Sequence, residues 1–419
     1  MSRRAVITGI GVQAPGGPGR DAFWERVRDG RTATRRIRQF DATGHRCQVA
    51  AECDFDPVAA GLDPQEARRS DRVSQLAKVA AAEAVVDSGL EIDGELAERT
   101  GVSMGSAVGG TTTMEQEYVV LSNAGRDWVV DPSFAGRHLY DYFLPSSIGA
   151  EVALTTGALG PVGVVSTGCT SGIDSVGHAA DLIRDGEADV MVTGGSDAPI
   201  SPITVTCFDI IKATSVRNDD PATACRPFDV SRTGLILGEG SAVLVLEEYE
   251  HARARGAHVY AEVGGHGSRC NAFHMTGLKA DGREMSEAID VALGEARIAP
   301  DSVDYVNAHG SGTKQNDKHE TAAVKRSLGA HATTTPMSGI KAVVGHSLGA
   351  IGSIEIAACA LAMEHGVVPP TANLHDPDPD CDLDYVPLVP RERRLDAVLT
   401  VGSGFGGFQS AMVLTNPER

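Results

Sequence analysis

Two stretches of this chain share one design. Gly172–Gly186 and Gly352–Gly366 are helical patterns of equal length, rich in small residues, and both end in glycine. Each follows an apolar run and a glycine turn carrying a reactive side chain, Cys169 in the first and His346 in the second. A repeat of this kind calls for two similar halves, each contributing one close-packed helix. The natural seam is Arg253–His258, so residues 1–254 would form one half and 255–419 the other. No long identity links the two stretches, and a chance likeness of small-residue helices is the competing reading.

The rest of the chain alternates between the two regular periods. Apolar runs such as Ala5–Thr8, Val190–Thr193, Ala242–Leu246, Tyr305–Val306 and Val398–Val401 read as strands. Ser70–Ser88, Thr170–Arg184, Met285–Ala296 and Ala350–Met363 read as helices. The expected class is α/β, in layers. The helix after Cys169 puts Ile173, Val176, Ala180 and Ile183 on one face. Gly177 and Ala179 are small enough to admit a neighbouring helix, and Gly186 supplies the C-terminal cap. Gly9 and Gly11, after the first run, predict a glycine turn.

A formal net charge of −19 excludes nucleic acid and anionic membranes as partners of the whole surface, leaving room for a local arginine patch. Eight cysteines without a C-x-x-C pair predict reduced thiols and a cytosolic setting. Met1-Ser2-Arg3-Arg4 faintly resembles a twin-arginine signal, but the following stretch is short and broken by Gly9, Gly11 and Pro15, so a first strand is expected. The long uncharged window Val152–Ile173 holds five glycines, Pro161 and six Ser or Thr residues, the texture of turns rather than of a membrane span.

The chemistry gathers at three glycine turns. Cys169 lies in Val165-Ser166-Thr167-Gly168-Cys169-Thr170-Ser171-Gly172, where an extended run enters a helix. A thiol at a helix N-terminus meets free N–H groups and the positive end of the dipole, which predicts a pKa below the free value of about 8.5. His309, in Asn307-Ala308-His309-Gly310-Ser311-Gly312-Thr313, and His346, in Val344-Gly345-His346-Ser347-Leu348-Gly349, could stabilise an enolate as neutral Nε2–H donors. The Cys169 N–H and one from Gly402–Gly407 would form an oxyanion hole. Lys341, with Glu320 or Asp317, reads either as a buried pair near a histidine or as an ordinary exposed lysine. His274 and His319 read as surface or packing residues, and Arg391–Arg394 as a loop.

Gly345-His346-Ser347-Leu348-Gly349 also satisfies G-x-S-x-G, the serine nucleophile elbow. The histidines after Ser347 are His365 and His375, and both precede Asp376, a poor order for the triad. Gly402–Gly407 matches G-x-G-x-x-G but sits at the chain end, with no room for a dinucleotide unit. Neither a P-loop nor a zinc-spaced set is present, so no metal or nucleotide cofactor is expected.

These residues give the chain its resemblance to the β-ketoacyl synthases of the thiolase-fold superfamily. It is most similar to the ketosynthase α subunits of bacterial type II aromatic polyketide synthases, over nearly the whole length. Ser201–Ile203, Cys207–Asp209, Ile211–Ser215, His274–Leu278 and His309–Glu320 are the segments nearest that subclass. The resemblance implies a five-layered α-β-α-β-α fold. It also implies Cys169 as acyl-accepting nucleophile, His309 and His346 as the decarboxylation and condensation pair, and Lys341 bonded to Glu320. The N–H groups of Cys169 and Phe405 would form the oxyanion hole, with Phe405 as gate. Implied partners are an acyl carrier protein, which brings substrates on phosphopantetheine and docks on Arg68, Arg69 and Arg217, and a Cys-less sister subunit, the chain-length factor, in a heterodimer. The competing readings are a homodimeric fatty-acid ketosynthase and a non-catalytic partner subunit. His309-Gly310-Ser311 has serine where relatives commonly have threonine, and Asn123–Phe143 carries no usable motif.

Overall fold

The computed structural model describes residues 3–128 and 130–418, so Met1 and Ser2 of the twin-arginine reading lie outside the described residues. Ten strands form the main sheet: β1 (Ala5–Ala14), β2 (Thr100–Gly105), β3 (Val162–Val165), β4 (Val190–Asp197), β5 (Gly240–Glu248), β6 (Ala261–Cys270), β7 (Tyr305–Asn307), β8 (Met337–Ser338), β9 (Ala397–Gly404) and β10 (Phe408–Thr415). A two-residue strand, Gly17–Pro18, is added beside β1.

The repeat is a property of the topology. Strands run in the order β3-β2-β4-β5-β1 in the first half and β8-β7-β9-β10-β6 in the second. Numbered within each half, both are 3-2-4-5-1. Pair directions agree too: the first three strands are parallel, and the last two join antiparallel. The halves meet where β1 pairs with β6 through Val6–Glu262 and Ile7–Ala261.

Two helices occupy equivalent places, α3 (Ser171–Arg184) before β4 and α7 (Ile351–His365) before β9. They contact each other and strands of both halves, forming the middle layer. Outside lie α1 (Arg72–Ser88) against β1 and β5, and α5 (Arg283–Ala296) against β6 and β10. This gives five layers, α-β-α-β-α. The arrangement explains why β1 is buried along its whole length instead of alternating. Burial on all sides also explains α7: Leu348–His365 is apolar enough to cross a membrane, yet most of it is buried inside the protein. The window Val152–Ile173 is split among α2 (Ser147–Thr156), β3 and the turn into α3.

Gly9 and Gly11 do not make the expected turn. Both sit inside β1, where a Cβ on Gly11 would lie 2.0 Å from the Ala80 carbonyl oxygen of α1. Gly265 and Gly267 of β6 meet α5 in the same way, with Ala292 and Ala288 carbonyl oxygens at 2.1 and 2.2 Å from the built Cβ. Each half therefore uses one G-x-G to let its outer helix approach the sheet. The Arg391–Arg394 run also departs slightly from a plain loop, since Arg391–Glu392 pairs with Val367–Val368.

Gly11→Val separates two effects of opposite sign. Strand propensity favours valine, but the backbone contact forbids its side chain. We expect a loss of about 2 kcal/mol or more, measured by denaturant titration, with Gly44→Val, whose Cβ meets nothing within 4 Å, as the neutral control.

Candidate active site

Cys169 is delivered by a turn with little freedom. Strand β3 ends at Val165, Gly168 takes a left-handed φ of 61°, and Gly168–Thr170 forms one 3-10 turn before α3. The Ser171 hydroxyl staples this turn, accepting from the Thr167 N–H at 3.0 Å and donating to the Gly168 carbonyl at 2.6 Å. The sulfur lines a cavity of about 360 Å³ together with His309, His346, Phe405, Phe208, Leu235 and Met275.

His309 follows β7 on a loop whose shape is set by two carboxylates of α6 (Lys314–Leu328). Glu320 accepts from the Gly310 N–H at 2.8 Å, and Asp317 from the Gly312 N–H at 3.2 Å. Asp317 is in turn paired with buried Arg232 at 3.0 Å. His346 is clamped by its backbone, donating to Ile236 and accepting from Gly238 at 2.8 and 2.9 Å. The two rings are edge to face, with centroids 5.3 Å apart. Burial first, and the Lys341 ammonium second, push both histidine pKa values well below the usual range. Both rings are therefore neutral. Neither Nδ1 has a hydrogen-bond partner among the described residues. An unmet lone pair is tolerated better than an orphaned N–H, which puts the ring proton on Nε2.

Lys341 is fully buried, but its partner differs from the expected one. Its Nζ pairs with Glu355 of α7 at 2.6 Å and also donates to the His309 carbonyl. Glu320 is not its partner; that side chain holds the Gly310 N–H and an Asn316 amide. The pairing follows from the fold, because Glu355 lies on the buried middle-layer helix α7 and faces Lys341 there. Burial pushes the Glu355 carboxyl up to about 7, with Lys341 opposing. The Glu320 carboxyl is raised well above its usual range, by burial and then by neighbouring Asp317.

The thiol also departs from expectation. Burial pushes Cys169 up to about 12, against the opposing pull of Lys341 and of the Phe405 backbone N–H. Desolvation outweighs the helix terminus. Ionising this thiol costs about 4 kcal/mol more than ionising a free one, so the resting group is a thiol. The Phe405 ring, at the β9–β10 hairpin, stacks on Phe208 of α4 (Pro202–Ile210) with centroids 6.0 Å apart.

The serine elbow fails on geometry. Ser347 is buried, its Oγ has no partner among the described residues, and it does not line the cavity. His365 stacks on Trp24 at the far end of α7. His274 is an exposed turn residue accepting from the Thr276 and Gly277 N–H groups, and His319 binds the Lys279 carbonyl. Gly177 admits an imidazole and not a helix: a Cβ there would fall 2.5 Å from the His266 ring.

Two supporting acids escaped the sequence reading, Glu355 and Asp197. Asp197, at the end of β4, is fully buried and raised to about 6 by burial. It accepts from Ser106 Oγ, the Ala107 and Val108 N–H groups, and the Gly349 N–H at 2.7 Å, so it ties the first half to the His346 loop. Of the three arginines expected at the mouth, Arg68 is exposed and Arg217 half-buried, each without an ion-pair partner among the described residues. Arg69 is not free. It is bonded to Glu151 at 2.8 Å, in a network with Glu66 and buried Lys78.

Comparison with known proteins agrees with this geometry. Residues 2–252 match the model of the beta-ketoacyl synthase N-terminal domain, and residues 260–375 that of the C-terminal domain. The chain is 63% identical to the tetracenomycin polyketide synthase ketoacyl synthase alpha subunit of Streptomyces glaucescens, covering 99% of this chain and 98% of that protein. It is 62% identical to the actinorhodin polyketide putative beta-ketoacyl synthase 1 of Streptomyces coelicolor, covering 100% and 90%. Identity to the 3-oxoacyl-[acyl-carrier-protein] synthase 2 of Coxiella burnetii is 39%, over 99% and 98%. Among solved structures, a type II polyketide synthase ketosynthase in complex with its acyl-carrier protein superposes with a TM-score of 0.92 at 36% identity, covering 99% of both chains. The ishigamide ketosynthase/chain length factor gives 0.91 at 34%, covering 99% and 100%.

The thiol pKa makes a direct prediction. Alkylation of the Cys169 peptide by iodoacetamide rises about tenfold per pH unit between pH 7 and 10, followed by mass spectrometry. A plateau near pH 8 would contradict the buried-thiol state.

Proposed function

The chain belongs to the β-ketoacyl synthase family, and from that premise we propose that it builds a poly-β-ketone by repeated decarboxylative condensation, as the condensing subunit of a type II polyketide synthase. The observation that carries the reading is one cavity lined by Cys169, the two neutral imidazoles of His309 and His346, and Phe405.

The reaction follows from those parts. An acyl group passes from carrier phosphopantetheine to Cys169. The Cys169 proton ends on the departing carrier thiol, so no free buried thiolate has to persist. Malonyl-carrier enters next. The Nε2–H groups of His309 and His346 bond its thioester oxygen, and this contact strengthens as CO2 leaves and enolate charge develops there. Neutral rings serve this better than cations, since they donate without protonating the enolate carbon. The carbanion attacks the Cys169 thioester, whose oxyanion is held by the N–H groups of Cys169 and Phe405. Collapse expels the sulfur as a thiolate, which takes a proton from solvent to restore the resting thiol, and leaves the chain two carbons longer on the carrier. Phe405, stacked on Phe208, acts as the gate. Lys341 with Glu355 keeps the imidazoles neutral and braces the His309 loop, and Glu320 holds that loop in shape. No metal or redox cofactor enters this scheme.

Residues 1–254 then supply the nucleophile and residues 255–419 the two histidines. The acidic carrier docks at Arg68 and Arg217, steered by local charge on an otherwise acidic protein. A second subunit, a Cys-less homologue, covers the β3 edge. β3 ends the sheet with Val162 exposed, Leu154 is exposed on α2, which packs against it, and Leu159 is exposed in the connection between the two. Such a patch marks an interface. The setting is cytoplasmic, consistent with eight unpaired cysteines. The fatty-acid alternative is weakened by 39% identity against 62–63% for the polyketide relatives. The non-catalytic reading is opposed by the intact Cys169, His309 and His346 set.

Incubation with acyl-carrier and malonyl-carrier proteins tests the assignment. Cys169→Ala abolishes acylation of the active-site peptide, while Ser347→Ala retains most of it. His309→Ala and His346→Ala still load acyl groups but release CO2 at least about a hundredfold more slowly. Unchanged CO2 release in both would remove the enolate role. Arg68→Glu and Arg217→Glu raise the carrier concentration needed for half-maximal rate, with little change in the maximal rate.

A further inference from the structure

Behind the nucleophile turn, away from the cavity, lies a side-chain cluster that the condensation scheme does not use. Asp174 sits in the first turn of α3 and is nearly buried. Its Oδ2 accepts from the hydroxyls of Thr167 at 2.5 Å and Thr170 at 2.9 Å, the residues two before and one after Cys169. Its Oδ1 accepts from Ser410 Oγ of β10 at 2.6 Å and from His266 Nε2 of β6 at 3.0 Å. One carboxylate therefore takes four donors. Two come from the nucleophile turn and two from the other half of the protein.

The His266 ring has a built seat. It lies over Gly177, one helical turn beyond Asp174 on the same helix. The glycine leaves the space the imidazole fills, so the sequence reserves room for this particular contact. Burial pushes the Asp174 carboxyl up, but hydrogen bonds from His266, Ser410 and Thr167 outweigh it and hold the group below the usual carboxylate range. It is an anion throughout the working range of the enzyme.

We infer that Asp174, braced by His266 and Ser410, is the positioning residue for the nucleophile, holding Thr167 and Thr170 so that the Cys169 sulfur stays between the Phe405 N–H and the cavity. It lies outside the cavity lining and touches no substrate, so it acts through the turn. The inference rests on the reading of Cys169 as the acyl acceptor. A misplacement of about 1 Å at a reacting atom costs on the order of a hundredfold in rate, and without Asp174 the turn loses the two side-chain hydrogen bonds that flank Cys169.

The experiment uses the purified protein with its partner subunit where the two copurify, and two readouts of Cys169. These are single-turnover acylation from an acyl-carrier protein and carbamidomethylation by iodoacetamide, each followed on the Cys169 peptide. Asp174→Asn and the isosteric Thr170→Val should slow both at least about tenfold, with the acyl-carrier concentration for half-maximal acylation unchanged. Thr170→Ser, which keeps the hydroxyl, should recover most of the rate lost in Thr170→Val. Native rates in Asp174→Asn and Thr170→Val overturn the inference. So does Thr170→Ser as slow as Thr170→Val, because the loss is then one of packing. If Asp174→Asn does not fold, the Thr170 pair decides alone. Should the unaltered protein take no acyl group from the carrier, the ketosynthase reading fails, while the alkylation arm still tests the positioning.

Discussion

A single buried ion pair sets the electrostatics of the whole site. Lys341 and Glu355 are both sealed from solvent, and the ammonium lies close enough to act on both imidazoles and on the thiol. Buried charge pairs contribute little net stability, while losing one partner costs about 3–5 kcal/mol. The pair is therefore better understood through what it does to its neighbours. A fixed positive charge opposes protonation of His309 and His346 and favours the ionised sulfur. Those three effects have the signs that condensation requires. Glu355 balances the charge without reaching the cavity, since it is not among the lining residues.

Burial nevertheless dominates at the sulfur, and this changes how the helix terminus should be understood. A dipole and exposed N–H groups are worth at most about 2 kcal/mol in partly buried settings. Desolvation of the Cys169 thiolate exceeds that. In the proposed condensation the terminus would serve less to create a standing anion than to stabilise charge that appears transiently, on sulfur during transfer or on the oxyanion beside it. The neutral resting state also protects the thiol from indiscriminate oxidation, which follows thiolate character.

Much of the site was legible because glycine turns expose their cargo. Cys169, His309 and His346 each stand beside glycines in short connections that lead into a helix, and the structure brings all three to one cavity. The connection follows strands β3 and β7 for the first two, but for His346 it follows the helical turn Lys341–Val344, not the expected strand. The four helices named from periodicity match α1, α3, α5 and α7 within two residues at each end, while α2, α4 and α6 went unread. Strand β6 was not. Ala261–Cys270 contains Gly264, Gly265 and Gly267, a residue type that weakens a strand interior, yet two of them let α5 lie against their backbone. The same reasoning misread Gly9 and Gly11. Set side by side, Gly9-Ile10-Gly11 and Gly265-His266-Gly267 were a stronger sign of the repeat than the helices that prompted it. Glu355 was missed because α7 reads as core. It is the only charged residue between Ile351 and Ala362, and a lone acid in so apolar a helix demands a buried cation. The family resemblance implied Glu320, whereas the fold puts Glu355, the nearer of the two along the chain, beside Lys341.

The duplicated architecture accounts for where the acids fall. With α3 and α7 in equivalent places, Gly172 matches Gly352, and Asp174 stands one position from the equivalent of Glu355. Each middle helix thus carries one buried carboxylate in its opening turns, just after a loop whose Cys169 or His346 lines the cavity. Their partners differ: Asp174 gathers neutral hydroxyls and an imidazole from the second half, and Glu355 holds a lysine within its own half. Asp197 adds a third tie, from β4 across to the Gly349 N–H. Two of these three contacts cross between halves, so the distance between Cys169 and the histidines is fixed by buried hydrogen bonds rather than by loop stiffness. A site assembled from two copies of one fold needs such ties, because the halves meet in the sheet through only two residue pairs of β1 and β6.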